Sequence, residues 1–129
     1  MSQDDLQNTD QKPHSGEIAK LTQVIKDFCE ERDWKQFHDP KDLAISLSLE
    51  ASEVLEHFQW KNKDEIGKYV ETNKDNIAEE LADVFYWILL MSSDLKIDLS
   101  DAFLKKMQKN AAKYPIDKAK GKHTKYSEL

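Results

Sequence analysis

Four acidic residues on two predicted helices are the side chains of this sequence best suited to chemistry. Glu50 and Glu53 are three residues apart, and Glu80 and Asp83 repeat that spacing further along the chain. A spacing of three places two side chains on neighbouring turns of one helix face. Two such helices packed side by side would bring four carboxylates together, and carboxylate oxygens suit Mg²⁺ or Mn²⁺. The pattern therefore predicts a divalent-metal site.

Both acidic pairs border apolar helix faces. At about 100° per residue, Glu50 projects only about 20° from Leu43, and Glu80 about 60° from Ile77. An ionised carboxylate in such a place is costly unless something pairs with it. Solvated E-x-x-E pairs are common in an acidic chain, but that explanation fits poorly beside apolar residues. Part-buried acids of this kind cluster at functional sites.

Other catalytic chemistries have less support. A di-iron or di-manganese bundle needs Glu-x-x-His pairs, whereas His57 lies four residues after Glu53. Cys29 has no histidine at a local activating spacing. The three glycines are too scattered for a phosphate-binding loop, so a metal ion and lysines would have to hold any phosphate. The candidates for that role on one helix are Lys106, Asn110, Lys113 and Tyr114, although an exposed lysine-rich face explains the lysines equally well.

The composition limits the classes of function. A chain of 129 residues forms one domain with a modest core. The net charge of −6 argues against nucleic-acid or membrane-surface binding. The single cysteine favours a reducing, cytoplasmic setting. No run of 18 apolar residues and no signal-peptide pattern occurs, so no membrane partner is expected.

Helical periodicity without any strand pattern predicts an all-α fold resembling a four-helix bundle. We expect a disordered leader over residues 1–16, a helical domain over 17–115 and an irregular tail over 116–129. The helices are expected over residues 17–32, 40–60, 64–69 and 74–95, with a last one capped by Asp98 or Ser100 and ending at Tyr114. The loop between the first two carries Trp34, Phe37 and His38, which either line a ligand pocket or plug the core.

Five motifs occur in the order known from one enzyme family. They are Trp34-x-x-Phe37-His38-x-Pro40, Glu50-x-x-Glu53, Phe58-Gln59-Trp60, Glu79-Glu80-Leu81-x-Asp83-Val84 and Lys106-x-x-x-Asn110-x-x-Lys113-Tyr114-Pro115. Over residues 18–129 the chain resembles the MazG-like nucleotide pyrophosphohydrolases of the all-α NTP pyrophosphatase superfamily. The likeness is strongest to the dCTP pyrophosphatase branch.

The resemblance implies Mg²⁺-dependent hydrolysis of a (deoxy)nucleoside triphosphate to its monophosphate and pyrophosphate, with Mn²⁺ as a possible substitute. It implies that Glu50, Glu53, Glu80 and Asp83 bind the metal. From the charges of the site we hypothesise further that Glu53 orients or deprotonates the attacking water. Phosphates would contact Lys106, Asn110, Lys113 and Tyr114. The base pocket would be shaped by Trp34, Trp60 and Trp87, with His38 nearby. Members form sites across associated subunits, so a homodimer or homotetramer is expected. Relatives that act on dCTP carry a histidine where this chain has Ile25.

Two other functions stay open at this point. One is hydrolysis of a phosphoribosyl-nucleotide at the same metal site, against which three tryptophans suited to stacking on a free base argue. The other is a non-enzymatic helical adaptor or regulator that keeps the fold, for which neutralising the acids would leave function unchanged.

Overall fold

A computed structural model of the protein describes residues 15–129. Most of the leader predicted over residues 1–16, namely residues 1–14, lies outside the described residues. Its last two residues are helical rather than disordered, because the first helix begins at Ser15. The helices are α1 (Ser15–Glu31), α2 (Pro40–Glu56), α3 (Lys63–Asp94), α4 (Leu99–Lys113) and α5 (Ile116–Ala119), with short 3₁₀ turns at Lys35–Phe37 and Tyr126–Glu128. Residues 15–129 contain no strand, so the all-α prediction is confirmed.

The chain divides into two compact units, and the boundary along the sequence lies between Lys96 and Ile97. In the first unit α3 packs against both α1 and α2. The side chains buried most completely there come from all three helices: Ile25, Cys29, Leu43, Leu89 and Leu90. The domain ends expected near residues 16 and 115 stay predictions.

Polar side chains cap the first turns of α2 and α3. Asp39 caps α2 by accepting a hydrogen bond from the backbone N–H of Asp42 at 3.0 Å, and Pro40 occupies the first turn. Asn62 caps α3 in the same way, accepting from the N–H of Glu65 at 2.9 Å. These caps fix where the two acid-bearing helices begin, and therefore which side chains face each other across them.

Two helix boundaries differ from the prediction. α2 ends at Glu56 rather than near residue 60, because the chain turns there and the N–H groups of Phe58 and Gln59 both bond to the Leu55 carbonyl at 2.9 Å. The turn lets the Phe58 ring pack edge-on against Tyr69. α3 joins the two helices expected over 64–69 and 74–95, with a non-helical Asn73 (φ −123°, ψ 19°) at the expected gap.

Much apolar surface of the first unit stays exposed within the single chain. On α2 the side chains of Ile45 and Leu49 are 48% and 61% exposed. On α3 Leu81 and Phe85 are also exposed, although Leu81 lies on a face that the periodicity marks as apolar. Exposed apolar area on this scale is typical of surfaces that associate with another protein surface.

The second unit, Ile97–Leu129, is built on α4. Asp98 rather than Ser100 supplies the side-chain cap of α4, accepting from the N–H of Asp101 at 3.1 Å. After the helix, the Tyr114 and Tyr126 rings meet edge to face with centroids 6.0 Å apart. The prediction of an irregular tail over residues 116–129 is wrong in part, because this stretch contains α5 and a 3₁₀ turn.

Candidate functional site

The four predicted carboxylates meet in one cluster. One carboxylate oxygen from each of Glu50, Glu53, Glu80 and Asp83 lies within 4.8 Å of the other three. The first two project from α2 and the others from α3, which packs directly against α2. We call this group the carboxylate cluster. Four oxygens that converge at this distance form a donor set suited to a hard divalent cation.

The burial of these oxygens supports a cation. Oε2 of Glu50 and Oε2 of Glu80 are buried and receive no hydrogen bond from any described residue. Burial, followed by a hydrogen bond shared with Glu53 and the negative charges of Glu53 and Asp83, raises the pKa of Glu50 above its usual range. A hydrogen bond from the Trp87 side chain opposes this shift. Buried carboxylate oxygens without donors are a strained arrangement that a bound cation would relieve.

Glu80 shows the same effect more strongly. A hydrogen bond shared with Glu53 comes first, followed by burial and the charges of Glu53, Asp83 and Glu50, and together they raise the pKa of Glu80 to about 7. In the metal-free protein the Glu80 carboxyl therefore holds a proton at mildly acidic pH and donates it to Glu53. A cation at the cluster would take the place of that proton.

A cavity of about 400 Å³ opens beside the cluster, and we call it the acid-side cavity. Glu50 and Asp83 form one part of its wall, and the remainder is mainly apolar and aromatic. The other lining residues are Val24, Ile25, Phe28, Trp34, Tyr86 and Trp87. The cavity thus combines a cation site with flat aromatic faces, an arrangement suited to a ligand with both a charged and a planar part.

A second cavity, of about 230 Å³, shares two indoles with the first. Trp34 and Trp87 line both, and the second is completed by residues of the loop before α2 and of its first two turns. These residues are Phe37, His38, Asp42, Leu43 and Ser46. We call it the loop-side cavity. Trp34 and Phe37 are 42% and 67% exposed, so they line a pocket rather than plug the core.

His38 stands between the loop-side cavity and a third cavity of about 470 Å³. Its side chain is only 10% exposed, and its Nδ1 lies 3.8 Å from Oδ2 of Asp94 near the end of α3. This pair is attractive when the imidazole is protonated. The contact fixes His38 against α3 at the border of the loop-side cavity.

The remaining predicted residues lie in the turn after α2 and in the second unit. Trp60 lies in the turn after α2, is 86% exposed, and lines none of the three cavities. Lys106, Asn110 and Lys113 share one face of α4 in the second unit, where the Asn110 amide donates to the sulfur of Met107 at 3.8 Å. The Lys113 Nζ lies 4.7 Å from the Tyr126 ring centroid. Their part in phosphate binding stays a prediction.

Sequence reasoning missed two polar residues of the loop-side cavity, Asp42 and Ser46. Their spacing contains the signal, because Asp42, Ser46 and Glu50 follow each other at intervals of four along α2 and therefore share one side of the helix. Asp42 also supplies the negative charge that is ordinary in a first helical turn, which hides its position at the cavity. Phe28 and Tyr86 of the acid-side cavity were also missed, since each sits at an ordinary packing position.

Within residues 15–129, no helix combines the length and the apolar character that a membrane span requires.

Comparison with known proteins identifies relatives of this chain. The MazG-like family matches residues 45–129. The human dCTP pyrophosphatase 1 is 38% identical over 114 residues, covering 87% of this chain and 67% of the relative. The bovine dCTP pyrophosphatase 1 is 36% identical over 114 residues, covering 87% and 68%.

A solved structure shows the same fold. A pyrophosphatase from Archaeoglobus fulgidus is 37% identical and superposes with a TM-score of 0.74, covering 79% of this chain and 95% of that one. The region that matches the MazG-like family, residues 45–129, includes both acidic pairs and the α4 motif. The chain therefore belongs to the MazG-like family, and its prediction as a pyrophosphohydrolase is confirmed.

Proposed function

We propose that the protein hydrolyses (deoxy)nucleoside triphosphates to the monophosphate and pyrophosphate in a Mg²⁺-dependent reaction. The observation that carries this proposal is the carboxylate cluster at the wall of a cavity lined by two indoles. A triphosphate would be repelled by four carboxylates alone, so the substrate requires a cation between them. When bound, Mg²⁺ supplies Lewis-acid polarisation of the phosphate oxygens and lowers the pKa of a water nucleophile.

The chain's own residues divide the remaining work. Glu50 and Glu80, whose buried oxygens lack donors, are the best placed to bind the cation permanently. Glu53 and Asp83 are the exposed members of the cluster. We propose that Glu53, which faces solvent and shares a hydrogen bond with Glu80, orients the attacking water and accepts its proton.

Trp34 and Trp87 supply the base-binding faces in this proposal, because they line both the acid-side cavity and the loop-side cavity. Stacking of a base on an aromatic side chain contributes about 1–3 kcal/mol and depends little on base identity. The dCTP pyrophosphatases among the relatives make dCTP the first substrate to examine. Ile25, which lines the acid-side cavity, has no hydrogen-bonding group, so any preference among bases must come from other residues.

The second unit would contribute phosphate contacts. We propose that Lys106, Asn110, Lys113 and Tyr114 bind the phosphates, as the family motif implies. Their ammonium, amide and phenol groups are suited to the charge that develops on a pyrophosphate leaving group.

We also propose a homodimer or homotetramer. The support is the exposed apolar surface on α2 and α3 together with an indole, Trp60, that is 86% exposed. An exposed tryptophan in a family motif has an evident use if it completes the site of a second copy. The physiological role that we propose for the protein is nucleotide-pool housekeeping in the cytoplasm. In that compartment the lone Cys29 stays reduced.

The test is pyrophosphate release from a panel of ribo- and deoxyribonucleoside triphosphates, measured with Mg²⁺ and then with excess EDTA. We expect turnover of at least one nucleotide with Mg²⁺ and its loss with EDTA. A folded protein that hydrolyses none of them would overturn the proposal. Turnover of a phosphoribosyl-nucleotide alone would point to the other branch of pyrophosphohydrolases.

A further inference from the structure

We propose that Asp42 and Ser46 recognise the hydrogen-bonding edge of the base, and that Asp42 selects bases with an exocyclic amine over bases with a carbonyl oxygen at that position. This inference rests on the proposed function and names the residues that give it base selectivity. Neither residue belongs to the carboxylate cluster, and both line the loop-side cavity.

Position along α2 is the first support. Asp42 and Ser46 precede Glu50 by eight and four residues, on the same side of the helix. At 1.5 Å per residue, Asp42 lies about 12 Å and Ser46 about 6 Å along the helix axis from Glu50. A nucleotide whose phosphates lie at the cluster and whose base lies against Trp34 and Trp87 would point its far edge toward these two side chains.

The hydroxyl of Ser46 is available for a ligand. Two other serines of α2 use their hydroxyls within the helix: Ser48 donates to the Ala44 carbonyl at 3.0 Å and Ser52 to the Ser48 carbonyl at 2.9 Å. No hydrogen bond joins the Ser46 hydroxyl to another described residue. A half-buried hydroxyl beside two indoles can therefore donate to or accept from a base.

The charge of Asp42 determines the direction of selection. An ionised carboxylate only accepts hydrogen bonds. Cytosine presents an amine donor at C4, where uracil and thymine present a carbonyl oxygen that also only accepts. A carboxylate facing that position attracts cytosine and repels uracil. The Asp42 carboxyl shares a hydrogen bond with Asp39, and this bond together with the negative charge of Asp39 raises the pKa of Asp42 above its usual range. Once Asp42 is ionised, Asp39 supplies it with no donor, because Asp39 itself accepts the backbone N–H of Asp42 at 3.0 Å.

The experiment compares two substrates that differ at this edge, dCTP and dUTP, with Mg²⁺ present. We expect the wild-type protein to prefer dCTP by about tenfold in kcat/KM. Asp42→Asn should reduce the preference to less than about threefold, since an amide can present either a donor or an acceptor. Asp64→Asn is the matched control, because Asp64 is also an exposed first-turn acid but lines none of the cavities. It should leave the ratio unchanged.

Ser46→Ala tests the second residue. It should raise KM for dCTP about threefold to fivefold, whereas the matched Ser48→Ala should not. Thermal melting confirms that each variant is folded. Equal use of dCTP and dUTP by the wild type, or an unchanged ratio in Asp42→Asn, would overturn the inference. Absence of pyrophosphate release from every triphosphate would overturn the proposed function itself, and the inference with it.

Discussion

The two ends of the α2–α3 pair treat their acidic side chains in opposite ways. At the carboxylate cluster, Glu50 and Glu80 bury oxygens that receive no hydrogen bond from a described residue. At the other end, Asp39 accepts a backbone N–H as a helix cap, and Asp94 lies beside the His38 imidazole. The second arrangement is complete within the chain, whereas the first is stabilised only when a cation or a proton is added. The acids near Asp39 and Asp94 therefore stabilise the folded chain, whereas the acids of the carboxylate cluster are placed for function at a cost in stability.

The largest expected effect comes from removing a ligand of the cluster. Glu50→Gln should lower kcat/KM for the best nucleotide by more than about a hundredfold, since even outer-shell partners of a metal contribute 10–100-fold. Without metal, the Glu50→Gln variant should be at least as stable as the metal-free wild type, because the variant lacks one of the repelling charges. Steady-state kinetics and thermal melting in EDTA measure the two effects.

Glu56→Gln is the control for that variant, because Glu56 is an exposed acid of the same helix outside the cluster. It should leave both activity and stability unchanged. If Glu50→Gln keeps more than a tenth of the wild-type activity, the cluster is not the metal site.

The sequence predicted the cluster well because its two determinants are local. Helical spacing places each acidic pair on one face, and apolar neighbours indicate that the face packs against another helix. The start of α2 was also predictable, since Asp39 acts through the next three residues. The end of α2 was not, because Glu56 is followed by no helix-breaking residue and the turn depends on packing against Tyr69.

The loop-side cavity was harder to predict for the same reason. Asp42 and Ser46 are ordinary residues for the first turns of a helix. They line a cavity only because Trp87, a residue of α3, packs beside them and forms part of its wall. The exposure of Leu81 shows a related limit, since periodicity marks an apolar face without identifying what covers it.

The stability of the metal-free protein should fall as pH rises from about 4.5 to about 7. Over this range Glu80 keeps its proton in the folded state, with a pKa of about 7, while the unfolded chain, with the ordinary value of 4.5, has already released it. Raised pH therefore favours unfolding. Urea melts in EDTA across this range should show the decline, and Glu80→Gln should make it shallower.

Glu56→Gln again provides the comparison, and should keep the wild-type slope. A metal-free stability that is flat or rising over this pH range would show that Glu80 does not hold a proton in the folded protein.

Affinity for the metal should depend on pH in the opposite direction. Because a cation must displace the Glu80 proton, the apparent affinity should rise with pH, by at most about tenfold per pH unit for one proton, and level off above about pH 7. Titration of the wild type with Mn²⁺ at several pH values measures this. An affinity independent of pH between 5 and 7 would mean that the cation binds without displacing a proton.

The smallest effect is expected at the complete end of the pair. Asp94→Asn removes the charge that faces His38 but leaves a side chain of the same size. Because Asp94 is partly exposed and 3.8 Å from the imidazole, we expect a loss of less than about 1 kcal/mol in unfolding free energy. KM for the nucleotide should rise about twofold to threefold, because His38 borders the loop-side cavity and loses a contact that holds it.

Asp75→Asn, an exposed acid of the same helix, should change neither quantity. A loss of activity in Asp94→Asn as large as that in Glu50→Gln would mean that both ends of the helix pair serve the reaction directly. If only the carboxylate cluster serves the reaction directly, the loss of activity in Asp94→Asn must be at least tenfold smaller than the loss in Glu50→Gln.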